Sequence, residues 1–106
     1  IPAGKLDPGE APAVCARREL AEETGVTAKR WTELGLYIPA PGLFTEVIHM
    51  YLARELNIGA SRPDADEELE LQWLPFSEAM HHVQRGEWND GKTAHGLLRA
   101  QYAMQL

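Results

Sequence analysis

Near the start of the chain, four glutamates and an arginine stand at fixed distances between two glycines. Gly4 is followed after five residues by Glu10, and after seven more by Arg18-Glu19-Leu20-Ala21-Glu22-Glu23-Thr24-Gly25-Val26. Seven defined residue types at about 5–10% usage each make a chance match rarer than about one in ten million per starting point. The stretch also dictates local structure. Residues from Ala11 to Thr24 favour helix, Pro12 is tolerated in the first turn, and Gly25 is placed as the C-terminal stop. On that helix Ala13, Ala16 and Leu20 fall on one stripe, flanked by Val14 and Ala21, which is the expected buried face. Glu19 and Glu23 are four apart and stack about a turn from each other, to one side of that stripe. Two carboxylates so placed repel unless a cation lies between them, and hard divalent cations such as Mg²⁺ take oxygen ligands and also hold phosphates. Glu22 points further round, and Arg18 can pair with it or reach back to Glu10. Three acids on a helix by themselves describe a solvated face.

Composition narrows the remaining classes. The chain has 106 residues and a net charge of −6, enough for one domain with a modest core. Its acidity and the lack of a Lys/Arg cluster argue against nucleic-acid binding. No apolar run approaches the ~20 residues of a membrane span, so no membrane partner is expected, and no signal-peptide pattern opens the chain. The single cysteine, Cys15, excludes an internal disulfide framework and a zinc cluster, and is expected to be passive.

Downstream, residues 30–38 and 46–54 read as strands joined by a loop over 39–45, and residues 57–66 as a long polar loop. Glu68 to Leu74 alternates, with Leu69, Leu71 and Trp73 on one side, and reads as a half-buried strand. Ser77 offers an N-cap for a helix to about Arg85, and Asp90 one for a helix to about Gln105. Trp31, Trp73 and Trp88 are expected in a core or interface. His81 and His82 are expected to be solvated on a surface helix. The pattern is α+β in a single domain, residues 1–106.

The Gly4-to-Val26 stretch resembles the Nudix box at every defined position. Resemblance to the ADP-ribose pyrophosphatase subgroup of the Nudix hydrolases runs through nearly the whole chain: IPAGKLDPGE before and into the box, Pro39-Ala40-Pro41-Gly42 followed by Glu46 after it, then HMYLARELN, PDADEELELQWLPFSEAM and GEWNDGKTAHGLL. Pro41 lies sixteen residues after Gly25, close to the proline offset associated with ADP-ribose specificity, although Ala40 replaces the usual Ser. The resemblance implies a Nudix fold, a mixed β-sheet sandwiched between helices. It implies Mg²⁺-dependent hydrolysis, with Mn²⁺ as an alternative metal, of a nucleoside diphosphate sugar; ADP-ribose would yield AMP and ribose 5-phosphate. The implied metal ligands are Glu19, Glu23, Glu67 and the carbonyl of Ala3. Glu67, Glu22 and Arg18 are the implied catalytic residues, and Gly4, Pro41, Gly42 and Glu46 the implied substrate contacts. A cytoplasmic homodimer is expected on the same grounds.

The sequence departs from the subgroup in one important place. Where the subgroup often has a glutamate proposed as general base, this chain has Ala65, inside the run Asp64-Ala65-Asp66-Glu67-Glu68. Three readings stay open: Glu67 serves as base, Asp66 or Glu68 substitutes, or the chain is impaired. The opening Ile1-Pro2-Ala3-Gly4 has no initiator Met and reads like the end of an element already under way, so the chain is expected to be the C-terminal portion of a longer parent, with a fold incomplete at its N-terminus and apolar surface exposed. Two further functions remain: hydrolysis of another nucleoside diphosphate derivative, and a non-catalytic Nudix-type binding module or inactive fragment.

Overall fold

The computed structural model describes residues 1–59 and 70–105. Its elements are α1 (Pro12–Thr24), β1 (Val26–Tyr37), β2 (Ile48–Ile58), α2 (Phe76–Gln84) and α3 (Gly91–Ala103). β1 and β2 pair as a two-stranded sheet. The connection over residues 38–47 is shorter than the dozen or so residues that a parallel crossover needs, so the pair is antiparallel. Helices and paired strands make the described chain α+β, as expected. The chain divides into two compact units, Ile1–Thr32 with Ala53–Gln72, and Glu33–Leu52 with Trp73–Leu106.

In the first unit, α1 begins at Pro12, whose missing N–H costs nothing in the first turn, and ends where Gly25 takes a left-handed φ of 72°. The Gly25 N–H donates to the Ala21 carbonyl at 2.8 Å. Thr24 closes the same turn: its hydroxyl donates to the Leu20 carbonyl at 2.5 Å and accepts the Val26 N–H at 3.1 Å. The chain is thereby aimed straight into β1, and Val26 is 2% exposed. The N–H of Gly59 donates to the Gly25 carbonyl at 3.1 Å, so the end of β2 is tied to the start of β1. This pairing explains why β1 starts at Val26 and β2 runs to Ile58, beyond the expected spans of 30–38 and 46–54. Ladder hydrogen bonds override the weak strand preference of residues such as Glu55 and Asn57.

The second unit is built around Met50, Met80 and Ala100, all buried, with α2 packed against α3. Arg99 on α3 donates to the Leu34 carbonyl of β1 at 2.8 Å. Asp90 caps α3 as expected, accepting the Thr93 N–H at 3.3 Å and the Thr93 hydroxyl at 2.7 Å. Tyr37 packs on His95 with ring centroids 4.9 Å apart.

Four local expectations are corrected. Residues 70–74, the described part of the strand expected over Glu68–Leu74, form no strand, because no backbone among the described residues pairs with them; Leu71 is 44% and Trp73 61% exposed. Trp73 is therefore not core. Ser77 lies inside α2 and does not cap it: the N–H groups of Glu78 and Ala79 both donate to the Pro75 carbonyl, which starts the helix earlier. On α1 the buried residues are Cys15 and Thr24, while Val14 and Ala21 are exposed and Ala13, Ala16 and Leu20 half-buried. Small side chains cover little surface there, and Cys15 is buried beneath a polar network. His82 is not simply solvated either, since its ring stacks on Trp88 at 4.6 Å; His81 is exposed, as expected.

Candidate active site

The site lies within the first unit and is organised by Arg18. One edge of its guanidinium meets Glu10 as a fork, Nε to Oε2 at 2.8 Å and Nη2 to Oε1 at 2.9 Å. Planar two-point pairing of this kind is the strongest ion-pair geometry available to arginine. The other side reaches along α1: Nη1 donates to Glu19 Oε1 at 2.8 Å and to Glu22 Oε2 at 3.1 Å. Nη2 also donates to the Lys5 carbonyl at 3.1 Å, which pins the Gly/Pro-rich segment before the helix. The sequence left Arg18 a choice between Glu22 and Glu10; in the structure it takes both.

Glu10 itself is held by a turn. Its N–H donates to the Asp7 carbonyl at 3.0 Å, and the Asp7 N–H donates back to Glu10 Oε1 at 3.0 Å. Arg18 first, then the Asp7 N–H, hold the Glu10 carboxyl down to about 2, against an ordinary 4.5. Arg18 is raised above its usual range, chiefly by Glu10. Beneath the pair, the Cys15 sulfur accepts from Arg18 Nη2 at 3.7 Å, and burial pushes its thiol up.

The segment before the helix folds back on the two carboxylates singled out by their spacing. The Ala3 N–H donates to Glu23 Oε2 at 3.2 Å. Gly4 packs so tightly on Glu19 that a Cβ there would coincide with the Glu19 carboxyl. Any side chain at this position would therefore displace the end of Glu19. Ala3, Gly4, Glu10, Arg18, Glu19, Glu22 and Glu23 are all brought into one place.

The side chains of this cradle are of the donor type that a hard divalent cation takes. The side-chain donors are carboxylate oxygens, and Mg²⁺ is commonly held by one or two carboxylates together with substrate phosphates. Among the described residues no three His, Cys, Asp or Glu side chains gather as a metal-holding group. Arg18 engages Glu19 and Glu22, and the backbone of Ala3 engages Glu23. Glu67, with its neighbours in the acidic run from Asp64 to Glu68, lies outside the described residues. Pro41, Gly42 and Glu46 belong to the second unit. Pro41 and Gly42 lie in an exposed turn in which the N–H groups of Leu43 and Phe44 both donate to the Ala40 carbonyl, and Glu46 is exposed.

Sequence reasoning missed two members of the network, Asp7 and the Lys5 carbonyl. Asp7 lies 3.5 Å from Arg18 Nε. Its signal was the Asp7-Pro8-Gly9 turn, which returns the chain so that Glu10 and Asp7 meet.

Comparison with known proteins places the chain. The NUDIX domain description matches residues 1–96, and the chain belongs to the Nudix family. It is 38% identical to an ADP-ribose pyrophosphatase of Bacillus subtilis over 99% of this chain and 59% of that protein. A methanol dehydrogenase activator of Bacillus methanolicus is 40% identical over 96% of this chain and 55% of its own length. A GDP-mannose pyrophosphatase of Escherichia coli is 39% identical over 86% of this chain and 49% of its own. A solved structure described as an ADP compounds hydrolase superposes with a TM-score of 0.77 at 26% identity, covering 94% of this chain and 54% of that one. The chain thus spans about half the length of these relatives. The expected α+β Nudix fold and the resemblance to ADP-ribose pyrophosphatases are both borne out. Among the described residues no helix is long and apolar enough to cross a membrane.

Proposed function

We propose that this chain carries the hydrolytic site of an enzyme that cleaves the diphosphate bond of ADP-ribose, or of a related nucleoside diphosphate sugar. With ADP-ribose the products are AMP and ribose 5-phosphate. The observation that carries this reading is the convergence of Ala3, Gly4, Glu19 and Glu23 beside an arginine-braced helix. The similarity to an ADP-ribose pyrophosphatase supports it.

In this reading Glu19, Glu23 and the Ala3 carbonyl hold Mg²⁺, with Mn²⁺ as an alternative, and Glu67 completes the set. The bound metal supplies charge neutralisation of the diphosphate and lowers the pKa of the attacking water. Before the metal binds, Arg18, itself fixed by Glu10, holds Glu19 and Glu22 in place through hydrogen bonds. Glu22, on the next part of the same helix, is placed to share a metal. Glu67 is the residue assigned to hold or deprotonate the water, since Ala65 can neither take nor give a proton. Pro41, Gly42 and Glu46 are assigned to the substrate's sugar side. The active protein is assigned as a cytoplasmic homodimer, and sedimentation showing a monomer at micromolar concentration would count against the dimer.

The GDP-mannose pyrophosphatase relative favours one alternative, a different nucleotide sugar as substrate. Both readings are tested together. The protein is incubated with ADP-ribose, GDP-mannose and other nucleotide sugars, with Mg²⁺ or with EDTA, and the products are separated. AMP formed from ADP-ribose only with Mg²⁺ is expected. Turnover confined to another sugar selects the alternative, and no turnover of any substrate by the intact protein removes both.

A further inference from the structure

We propose that Arg18 and the divalent cation compete for the same oxygens of Glu19 and Glu22, so that this arginine sets the metal affinity of the site. The inference rests on the metal reading above and concerns how that site is regulated. Arg18 Nη1 donates to Glu19 Oε1 at 2.8 Å and Glu22 Oε2 at 3.1 Å, so one positive charge is already shared between two candidate ligands. A cation that takes the lone pairs now facing Nη1 displaces two charge-assisted hydrogen bonds, which are among the strongest in proteins.

Arg18 cannot simply leave when that happens. Its Nε and Nη2 are held by Glu10 at 2.8 and 2.9 Å, and Nη2 also by the Lys5 carbonyl at 3.1 Å. The guanidinium therefore has an anchored edge, on Glu10, and an exchangeable corner, at Nη1. After exchange it remains as a like charge close to the dication. Glu10 restrains the competitor, because the carboxylate that anchors Arg18 also absorbs much of its charge.

Two substitutions then act in opposite directions. Arg18→Gln removes both the competitor and the repulsion. For a dication and a monocation about 6 Å apart in a water-like dielectric, metal affinity rises about tenfold. Glu10→Gln releases the guanidinium to bind Glu19 and Glu22 more fully, and metal affinity falls several-fold. A residue needed only to build the site would weaken binding in both variants.

The test is Mn²⁺ binding to the intact protein, read from the electron paramagnetic resonance signal of free Mn²⁺ without substrate, with circular dichroism to confirm folding. Tighter binding in Arg18→Gln with weaker binding in Glu10→Gln is the expected result. Weaker or unchanged binding in Arg18→Gln overturns the competition while leaving the metal site in place. No binding by the unsubstituted protein overturns both. Should Arg18→Gln fail to fold, the unsubstituted protein decides alone through nitrogen-15 resonances of Arg18 during a Mg²⁺ titration. Competition shifts Nη1 and speeds its proton exchange while the Nε proton stays protected by Glu10; an unaffected Nη1 overturns it.

Discussion

Arg18 and Glu10, eight residues apart in sequence, meet as a two-point ion pair with N···O distances of 2.8 and 2.9 Å. That pair fastens the segment before α1 to the middle of the helix, and from it the positions of Glu19 and Glu22 follow. Its acid sensitivity has a definite sign. The Glu10 carboxyl lies at about 2 in the folded protein against an ordinary 4.5, with Arg18 as the main cause. A depressed carboxyl contributes stability that is fully present above its unfolded value and is lost as pH falls through the folded value. Stability should therefore decline between about pH 4.5 and 2, and Glu10→Gln should remove this part of the decline. Urea denaturation of both proteins across that range checks it; equal slopes would contradict the pairing.

Glu19→Gln and Glu23→Gln should each lower turnover by about 100-fold or more while leaving the fold intact. Outer-shell partners of metals already cost 10–100-fold, and these residues are assigned as direct ligands. Steady-state rates at saturating Mg²⁺ together with thermal melts measure this. Mg²⁺-dependent rates like those of the unsubstituted protein in both variants would remove the site.

Gly4→Ala places a methyl group where the Glu19 carboxyl lies. Glu19 must move, and a misplacement of about 1 Å can cost roughly 10²-fold in rate. Gly4 is exposed, so stability should change by no more than about 0.5 kcal/mol. A large loss of activity without a shift in melting temperature is the expected signature.

Asp90→Ala removes the cap of α3, whose carboxylate accepts from the Thr93 N–H and hydroxyl at 3.3 and 2.7 Å. A lost N-cap costs about 1 kcal/mol. The Asp90 carboxyl is lowered, chiefly by Thr93, so its contribution fades on acidification and the difference between Asp90→Ala and the unsubstituted protein should narrow there. Chemical denaturation at neutral and acid pH measures both effects.

What the sequence determined by itself was local or spacing-borne. The α1 helix, its stop at Gly25, the Asp90 cap and the Gly4-to-Gly25 pattern rest on backbone preferences and on positions a few residues apart, which chain geometry translates directly into structure. Family membership rests on that same pattern. The tertiary structure decided everything that depends on a partner far along the chain. β2 extends to Ile58 because Gly59 meets the backbone of Gly25, whereas residues 70–74 alternate like a strand and form none, because a ladder needs a second backbone. Arg18 offered two partners in sequence and takes both, since a guanidinium has five donors in a fixed fork and the Asp7–Glu10 turn brings the second carboxylate within reach. The closeness of Ala3 to Glu23 and of Gly4 to Glu19 was legible only as a spacing. The fold-back of the opening segment onto α1 brings the Ala3 N–H onto Glu23 and Gly4 against Glu19, which their separation in sequence alone would not.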